Sequence, residues 1–143
     1  MRQVVVGVDG SEGSRAALRW AAAEADQWNV SLVAVWAWEF SPLIVATDAP
    51  VRIDELESAV REQLHAVVVQ ELGEQRAASV ELRAVEDAPV RAVIDTAAED
   101  DLLVVGSRGY GGVRGALLGS VSQQVVHHAA CPVTVVRRPP EHD

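Results

Sequence analysis

The sequence predicts an α/β fold in which five mostly parallel strands form one open sheet with helices on both faces. Segments rich in β-branched residues alternate along the chain with segments whose apolar residues recur at helical spacing. Two of the strand segments, QVVVGVD (3–9) and SLVAVWAW (31–38), are apolar over most of their length, which is typical of strands covered on both faces. The length of 143 residues suits a single domain, whose strands would be joined by right-handed crossovers.

The first half of the chain contributes two strands and two helices. The strand at 3–9 is followed by Ser11, a suitable N-cap residue, and by a helix with a broad apolar face. That face carries Ala17, Leu18, Trp20, Ala21 and Ala25. After the strand at 31–38, residues 39–53 are expected to form an irregular lid because they include two prolines. A long helix is predicted from about Asp54 to Arg76. Its apolar stripe consists of Leu56, Val60, Leu64, Val67 and Leu72.

The second half contributes three strands and two helices. SVELRAV (79–85) alternates as a strand, and Pro89 suits the first position of the helix that follows. The buried stripe of that helix is predicted to be Val90, Val93, Ile94 and Ala97. LLVVG (102–106) is the fourth strand, a helix begins near Gly119, and PVTVVR (132–137) is the fifth strand.

The charge balance limits the classes of ligand. Twelve basic and 21 acidic residues give a net charge of −9, which argues against a broad grip on nucleic acid or on an anionic membrane. All basic residues are arginine, so the lysine of a Walker A loop is absent. A single cysteine favours a reducing compartment, and the longest apolar run, LVAVWAW (32–38), falls short of the roughly 18 residues of a membrane span. We therefore expect a soluble, cytoplasmic protein.

Two segments at predicted strand ends have the composition of a ligand site. In open α/β sheets, ligands bind beyond the carboxyl ends of strands where the strand order reverses. Asp9, Gly10 and Ser11 follow the first strand, and the glycine-rich GSRGYGGVRGALLGS (106–120) follows the fourth. Glycines let backbone N–H groups turn toward a phosphate, a helix start favours negative charge, and Arg108 and Arg114 add positive charge. Alternatively, the glycines serve only an exposed turn.

The spacing of these glycines resembles a known signature. Gly106 and Gly109 are followed, after nine residues, by Gly119 and Ser120, and this arrangement is similar to the nucleotide-binding motif of the universal stress protein family. The resemblance continues through GSVSQQVVHHAACPVTVVR (119–137) and returns in VVVGVDGSEGSRAALRWA (4–21). Because it covers nearly the whole chain, we interpret 1–137 as one universal stress protein domain and 138–143 as a flexible tail.

The resemblance implies a Rossmann-like sheet of order 3-2-1-4-5, with Asp9 beside Gly106. Family members with the intact motif typically bind ATP, and magnesium would accompany the nucleotide, with Asp9 as its possible protein ligand. The positions that match the ribose and phosphate contacts of the family are Gly106, Gly109, Gly119, Ser120 and Val121, to which we add Arg108. The positions that match the base and sugar side are Gly7, Val8, Asp9 and Val35.

The last strand suggests a partner. The chain ends at 132–137 without a closing helix, so an apolar strand edge is left bare and invites pairing with a second copy. The resemblance likewise implies a homodimer through this strand. A covering loop would serve the edge equally well.

Several other residues have simpler interpretations than a ligand role. Asp9 either contacts a ligand or caps the following helix. His127 and His128 suit the negative end of a helix, and no further ligands at metal-binding spacing accompany them. Cys131 is expected to be a small buried residue, and Trp36 and Trp38 are expected to pack rather than to cover a base.

The resemblance implies an ATP-dependent regulator in the stress response. An enzymatic alternative is slow ATP hydrolysis or adenylyl transfer, but the sequence shows no evident base to activate water, and the adenylyl-transfer motif SGGxDS is replaced by VDGSEGS. A further alternative keeps the fold and replaces ATP with a cyclic nucleotide such as cAMP.

Overall fold

The protein is described by a computed structural model that covers residues 1–40, 52–108 and 118–137. Within these ranges, five strands alternate with five helices. The strands are β1 (Gln3–Gly7), β2 (Ser31–Trp38), β3 (Glu81–Glu86), β4 (Leu102–Gly106) and β5 (Val133–Val136). The helices are α1 (Glu12–Trp28), α2 (Ile53–Leu72), α3 (Glu74–Ala77), α4 (Pro89–Thr96) and α5 (Ser120–His128). The predicted tail at 138–143 and most of the predicted lid lie outside the described residues.

The strands form one parallel sheet in the order β3-β2-β1-β4-β5, which confirms the predicted fold class and strand order. β1 lies between β2 and β4, so the chain runs outward in one direction from β1 to β3 and in the other from β4 to β5. The strand order therefore reverses between β1 and β4, and the carboxyl ends of these two neighbours border the crevice where such sheets bind ligands.

Two apolar layers cover the sheet because alternate residues of each strand face opposite sides. Val4 and Val6 of β1 pack with α1 and α2 on one face, whereas Val5 packs with α4 and α5 on the other. All three valines are fully buried, and so are Leu18 of α1 and Leu64 of α2. The continuous apolar strands of the sequence are explained by this double coverage.

Two details of the helices differ from the sequence prediction. The helix predicted from Asp54 to Arg76 is interrupted at Gly73, whose φ of +85° ends α2 before the short α3 begins. The sequence places Trp20 on the buried face of its helix, but this residue is 36% exposed, because the buried stripe runs along Gly13, Ala17 and Ala21. The capping prediction is confirmed, since Ser11 is the N-cap of α1 and accepts a hydrogen bond from the N–H of Ser14.

β5 is an edge strand, and none of its four residues is fully buried. Its backbone pairs with β4 on one side, as shown by the hydrogen bond from the Ser107 N–H to the Val136 carbonyl. Within the described ranges, no helix is both long and apolar enough to cross a membrane.

We predict that Val5→Ala, in the middle of β1, lowers the free energy of unfolding by about 2 kcal/mol, because it removes two buried methyl groups and leaves a cavity. The same substitution at Val126, which is 48% exposed on α5, is the matched control and should change stability by less than about 0.5 kcal/mol. Urea unfolding followed by circular dichroism measures both values. Equal losses in the two variants would contradict the assignment of Val5 to the core.

Candidate functional site

A cavity of about 270 Å³ opens at the carboxyl ends of β1, β2 and β4, where the strand order reverses. The turns after β1 and β4, together with the starts of α4 and α5, surround it. The residues that line it are Gly7, Val8, Asp9, Ser14, Val35, Ala37, Pro89, Val93, Val105, Gly106, Arg108, Gly119, Ser120, Val121 and Ser122.

One half of the cavity is apolar. Val35 and Ala37 of β2 face Pro89 and Val93 of α4, so this half offers surfaces suited to a flat, apolar group. The Val35 carbonyl accepts a 2.8 Å hydrogen bond from the Val8 N–H, so one of its two lone pairs is already used within the sheet. A ligand that bonds to the Val35 carbonyl would therefore have to use its second lone pair.

The start of α1 forms part of the polar half. One Asp9 carboxylate oxygen, Oδ1, accepts hydrogen bonds from both the N–H and the hydroxyl of Ser11. The Ser14 hydroxyl in turn donates to the Ser11 carbonyl and accepts from the Asp9 N–H. Asp9 therefore holds the N-cap residue, Ser11, rather than capping α1 itself, and neither Ser11 contact uses its other oxygen, Oδ2. The side chain is exposed and remains accessible to a ligand.

The start of α5 forms the opposite wall of the polar half. The first N–H groups of a helix have no carbonyl partner within it. Here the N–H of the N-cap residue, Gly119, donates to the Ser107 carbonyl, and the buried Ser122 hydroxyl donates to the same carbonyl at 2.9 Å. The helix therefore begins with Gly119 bonded to Ser107 at the end of β4, and the next two residues, Ser120 and Val121, line the cavity. Their N–H groups belong to the first turn of α5 and have no intrahelical carbonyl to bond.

Two glycines bring the turns after β1 and β4 into backbone contact. A Cβ atom on Gly106 would lie 2.7 Å from the backbone C and O of Gly13, and a Cβ on Gly13 would lie 2.4 Å from the Arg108 carbonyl oxygen. Such distances are too short for any side chain, so α1 and the end of β4 meet only because both residues are glycine. The bare backbone of Gly106, which the sequence reading assigned to a ligand, is thus required by packing against α1.

All predicted site residues within the described ranges lie around the one cavity, and Gly109 and Arg114 lie outside those ranges. Sequence reasoning missed two of the three serines that line it, Ser14 and Ser122. Each stands three residues after the N-cap of its helix, and each donates its hydroxyl to the N-cap carbonyl. The recurrence of serine at this position after both turns was the available signal. Pro89 and Val93 were assigned only to a helix start and a buried stripe.

The remaining candidates lie away from the cavity. His127 and His128 occupy the last turn of α5, as predicted, with their rings edge to face. Trp36 packs against the core layer formed by α1 and α2. Burial raises the pKa of the Cys131 thiol, and the nearby carboxylate of Asp101 raises it further, so this cysteine is less prone to ionise than a free one.

A metal ion would find few protein ligands at this site. Among the described residues, no group of three or more histidine, cysteine, aspartate or glutamate side chains is arranged to hold one. Of the described residues that line the cavity, Asp9 alone carries a carboxylate. This fits a magnesium ion that takes its other ligands from phosphates and water, which is the usual arrangement when Mg²⁺ accompanies a nucleotide.

Comparison with known sequences identifies relatives over nearly the whole chain. A sequence model described as the universal stress protein family matches residues 1–137. Universal stress protein Rv1996 of Mycobacterium tuberculosis is 34% identical over 153 residues, which cover 96% of this chain and 48% of the relative. Universal stress protein MT2698 of the same species is 38% identical over 140 residues, covering 94% and 44%. The chain thus spans about half the length of the curated relatives it matches.

Solved structures agree with the observed topology. A universal stress protein crystallised in complex with cAMP is 29% identical, with a TM-score of 0.63 and coverage of 94% of this chain and 95% of the other. The universal stress protein UspA from Lactobacillus plantarum has a TM-score of 0.67 at 23% identity, covering 95% and 97%. At that lower identity, the second comparison supports the fold alone.

We predict that Gly106→Ala destabilises the protein by about 1–3 kcal/mol, because its Cβ would press on the backbone of Gly13, which cannot rotate away. Gly7→Ala is the matched control in the same cavity wall. Its Cβ would lie 3.3 Å from a methyl group of Val93, a side-chain atom that can shift slightly. Thermal and urea unfolding of the two variants should therefore differ, and a Gly106→Ala protein as stable as Gly7→Ala would argue against the glycine contact.

Proposed function

This chain belongs to the universal stress protein family, and from that premise we propose that it binds an adenine nucleotide, ATP with magnesium, in the cavity between β1 and β4. Binding would regulate the surfaces that the protein presents to partners during stress. The proposal includes a cytoplasmic location and a homodimer formed through β5.

The observation that carries the proposal is the division of the cavity into an apolar half and a polar half. A nucleotide has the same division, since a flat base is joined through ribose to a charged phosphate chain. Val35, Ala37 and Val93 offer apolar contacts on the base side. At the other side, Ser120 and Val121 present backbone N–H groups at the positive end of α5, and Arg108 adds a full positive charge.

Magnesium fits this arrangement as a companion of the phosphates. Asp9 would supply one carboxylate oxygen, and its hydrogen bonds to Ser11 hold the side chain at the turn after β1. When bound, the ion would offset the negative charge of the phosphate chain, which otherwise faces a carboxylate and a chain of net charge −9. Loss of nucleotide affinity on removal of magnesium would be consistent with this role.

A cyclic nucleotide is the second candidate ligand, and the structure of a relative with cAMP supports it. A cyclic monophosphate carries one negative charge and would use the helix start without a metal ion. Acid extraction of the purified protein, followed by chromatography of the released compounds, identifies any retained nucleotide. Calorimetric titration with ATP and with cAMP then ranks the two, and tighter binding of cAMP would replace ATP in the proposal.

An enzymatic role is the weaker alternative. Within the part of the chain that the structure describes, the titratable side chains that line the cavity are Asp9 and Arg108, and Asp9 already accepts two hydrogen bonds from Ser11. Sustained ADP release that survives purification and disappears in Asp9→Ala would favour hydrolysis over simple binding.

The edge of β5 supports the homodimer. In a parallel ladder, alternate residues direct their N–H and carbonyl groups toward opposite neighbours. Pro132 and Val136 bond to β4 through their carbonyls, so Val133 and Val135 direct their backbone groups outward from the sheet. An apolar edge with these groups unpaired is a template for another strand, and a second copy of β5 matches it.

We predict that Gly119→Val weakens ATP binding by about tenfold or more, because a branched side chain at the start of α5 would hinder the approach of phosphate. The backbone at Gly119, with φ −71° and ψ 167°, accepts valine without strain. Ala88→Val is the matched control, since Ala88 is the N-cap of α4 with φ −62° and ψ 144° and does not line the cavity. If calorimetry gives both variants the affinity of the parent, the phosphate assignment is wrong.

We also predict that Val135→Pro converts a dimer into a monomer. Proline removes an N–H that faces away from β4, so pairing with a second copy is lost while the sheet itself is retained. Val135→Thr keeps that N–H and the β-branched shape and should remain dimeric. Light scattering during size-exclusion chromatography measures the mass of each. A parent protein that is monomeric at all accessible concentrations would contradict the homodimer.

A further inference from the structure

Gly13 is the residue of the site region whose identity the nucleotide proposal leaves unexplained. It is buried in the first turn of α1 and does not line the cavity. Its neighbour across the turn is Arg108, which does line the cavity. The Arg108 carbonyl oxygen fills the space where a side chain at Gly13 would begin, because an added Cβ would lie only 2.4 Å from it.

Backbone conformation does not account for a glycine at this position. Among the described residues, the glycines with positive φ are Gly10 and Gly73, so Gly13 has the ordinary helical backbone that alanine also adopts. Alanine is the better helix former, and glycine inside a helix weakens it. The contact with Arg108 is therefore the physical reason that remains for glycine here.

The same contact is made from both sides. Gly106 leaves room for the backbone of Gly13, and Gly13 leaves room for the backbone of Arg108, two residues further along. The backbone of the segment from Gly106 to Arg108 thus lies directly against the start of α1, with no side chain of Gly13 or Gly106 between them. Ser107, between them, is held from the other side because its carbonyl accepts the Gly119 N–H and the Ser122 hydroxyl. Any displacement of this segment would move Arg108 and the start of α5 together.

We propose that Gly13 is a positioning residue for the phosphate half of the site. It touches no ligand, but its lack of a side chain sets the Arg108 backbone against α1 and so fixes the guanidinium and the start of α5 relative to the phosphates. The base half depends on other elements, the ends of β1 and β2 and the helix α4. The inference rests on the proposed nucleotide binding and adds one expectation to it. A change at Gly13 should alter binding at the phosphate half of the cavity and leave binding at the base half unchanged.

The test compares adenosine with ATP. In the parent protein, the phosphates should make ATP bind more tightly than adenosine. Gly13→Ala should reduce this preference by about tenfold, the effect expected from misplacing one charge-assisted contact, while the affinity for adenosine stays the same. Ala23→Gly is the matched control, because Ala23 is exposed on the same helix and its replacement weakens α1 without a contact to Arg108. The control should keep the full preference for ATP.

A second measurement uses the unmodified protein and does not depend on whether the variant folds. If Gly13 couples α1 to the phosphate half, ATP should slow amide hydrogen exchange at Arg15 and Ala16, which lie outside the cavity lining, and adenosine should not. Equal exchange with both ligands, or a Gly13→Ala protein that keeps the parent preference, would overturn the positioning role. A parent protein that binds neither adenosine nor ATP would instead overturn the nucleotide proposal itself, and the positioning role with it.

Discussion

The backbones of two turns, one after β1 and one after β4, meet with no side chain between them. Gly13 and Gly106 are packed so closely that a methyl group on either would overlap the backbone of the other turn. Because β1 and β4 are neighbours in the sheet and their following helices lie on opposite faces, this contact sets where α1 begins, where the loop after β4 begins, and how α5 starts. The cavity is the space that remains between those elements, so its shape depends on two absent side chains as much as on the residues that line it.

The electrostatics of the cavity are local. The chain carries a net charge of −9, yet charges separated by more than about 8 Å are largely screened at physiological ionic strength. Among the described residues that line the cavity, the charged groups are one arginine and one carboxylate, and the starts of α1, α4 and α5 border it. The two hydrogen bonds that Asp9 accepts from Ser11 offset part of the negative charge of its carboxylate. Ser120 and Val121, at the start of α5, contribute N–H groups of the opposite polarity. A ligand that joins an anionic group to an apolar ring suits this arrangement better than a protein surface rich in carboxylates would.

The edge of the sheet is a separate feature with its own consequence. α1 and α2 cover one face and α4 and α5 the other, whereas β5 lies at the edge, with no strand beyond it among the described residues. The curated relatives are about twice as long as this chain. If β5 pairs with a second copy, the edge is covered by association between chains, and the carboxyl end of β4, which is joined to β5 by the hydrogen bond from Ser107 to Val136, would lie one strand away from that interface. The cavity and the proposed interface would then be connected through the same loop.

The amino-acid sequence by itself determined the fold class, the extent of each strand to within about two residues and the cap of α1, and it predicted nine of the fifteen described residues that line the cavity. The strands, the cap and the glycine-rich loop follow from local chemistry, since apolar strands, helix-start residues and glycine spacing are written in short segments, whereas Gly7, Val8 and Val35 were predicted from the family resemblance. Only the tertiary structure decided which glycine serves packing and which serves the cavity, because the space beside Gly106 is filled by a turn nearly a hundred residues earlier in the chain. It also decided that Gly119 donates its N–H to the Ser107 carbonyl, that Ser14 and Ser122 line the cavity, and that Gly73 divides the long helix. Each of these depends on a partner or a backbone angle that a single sequence does not display.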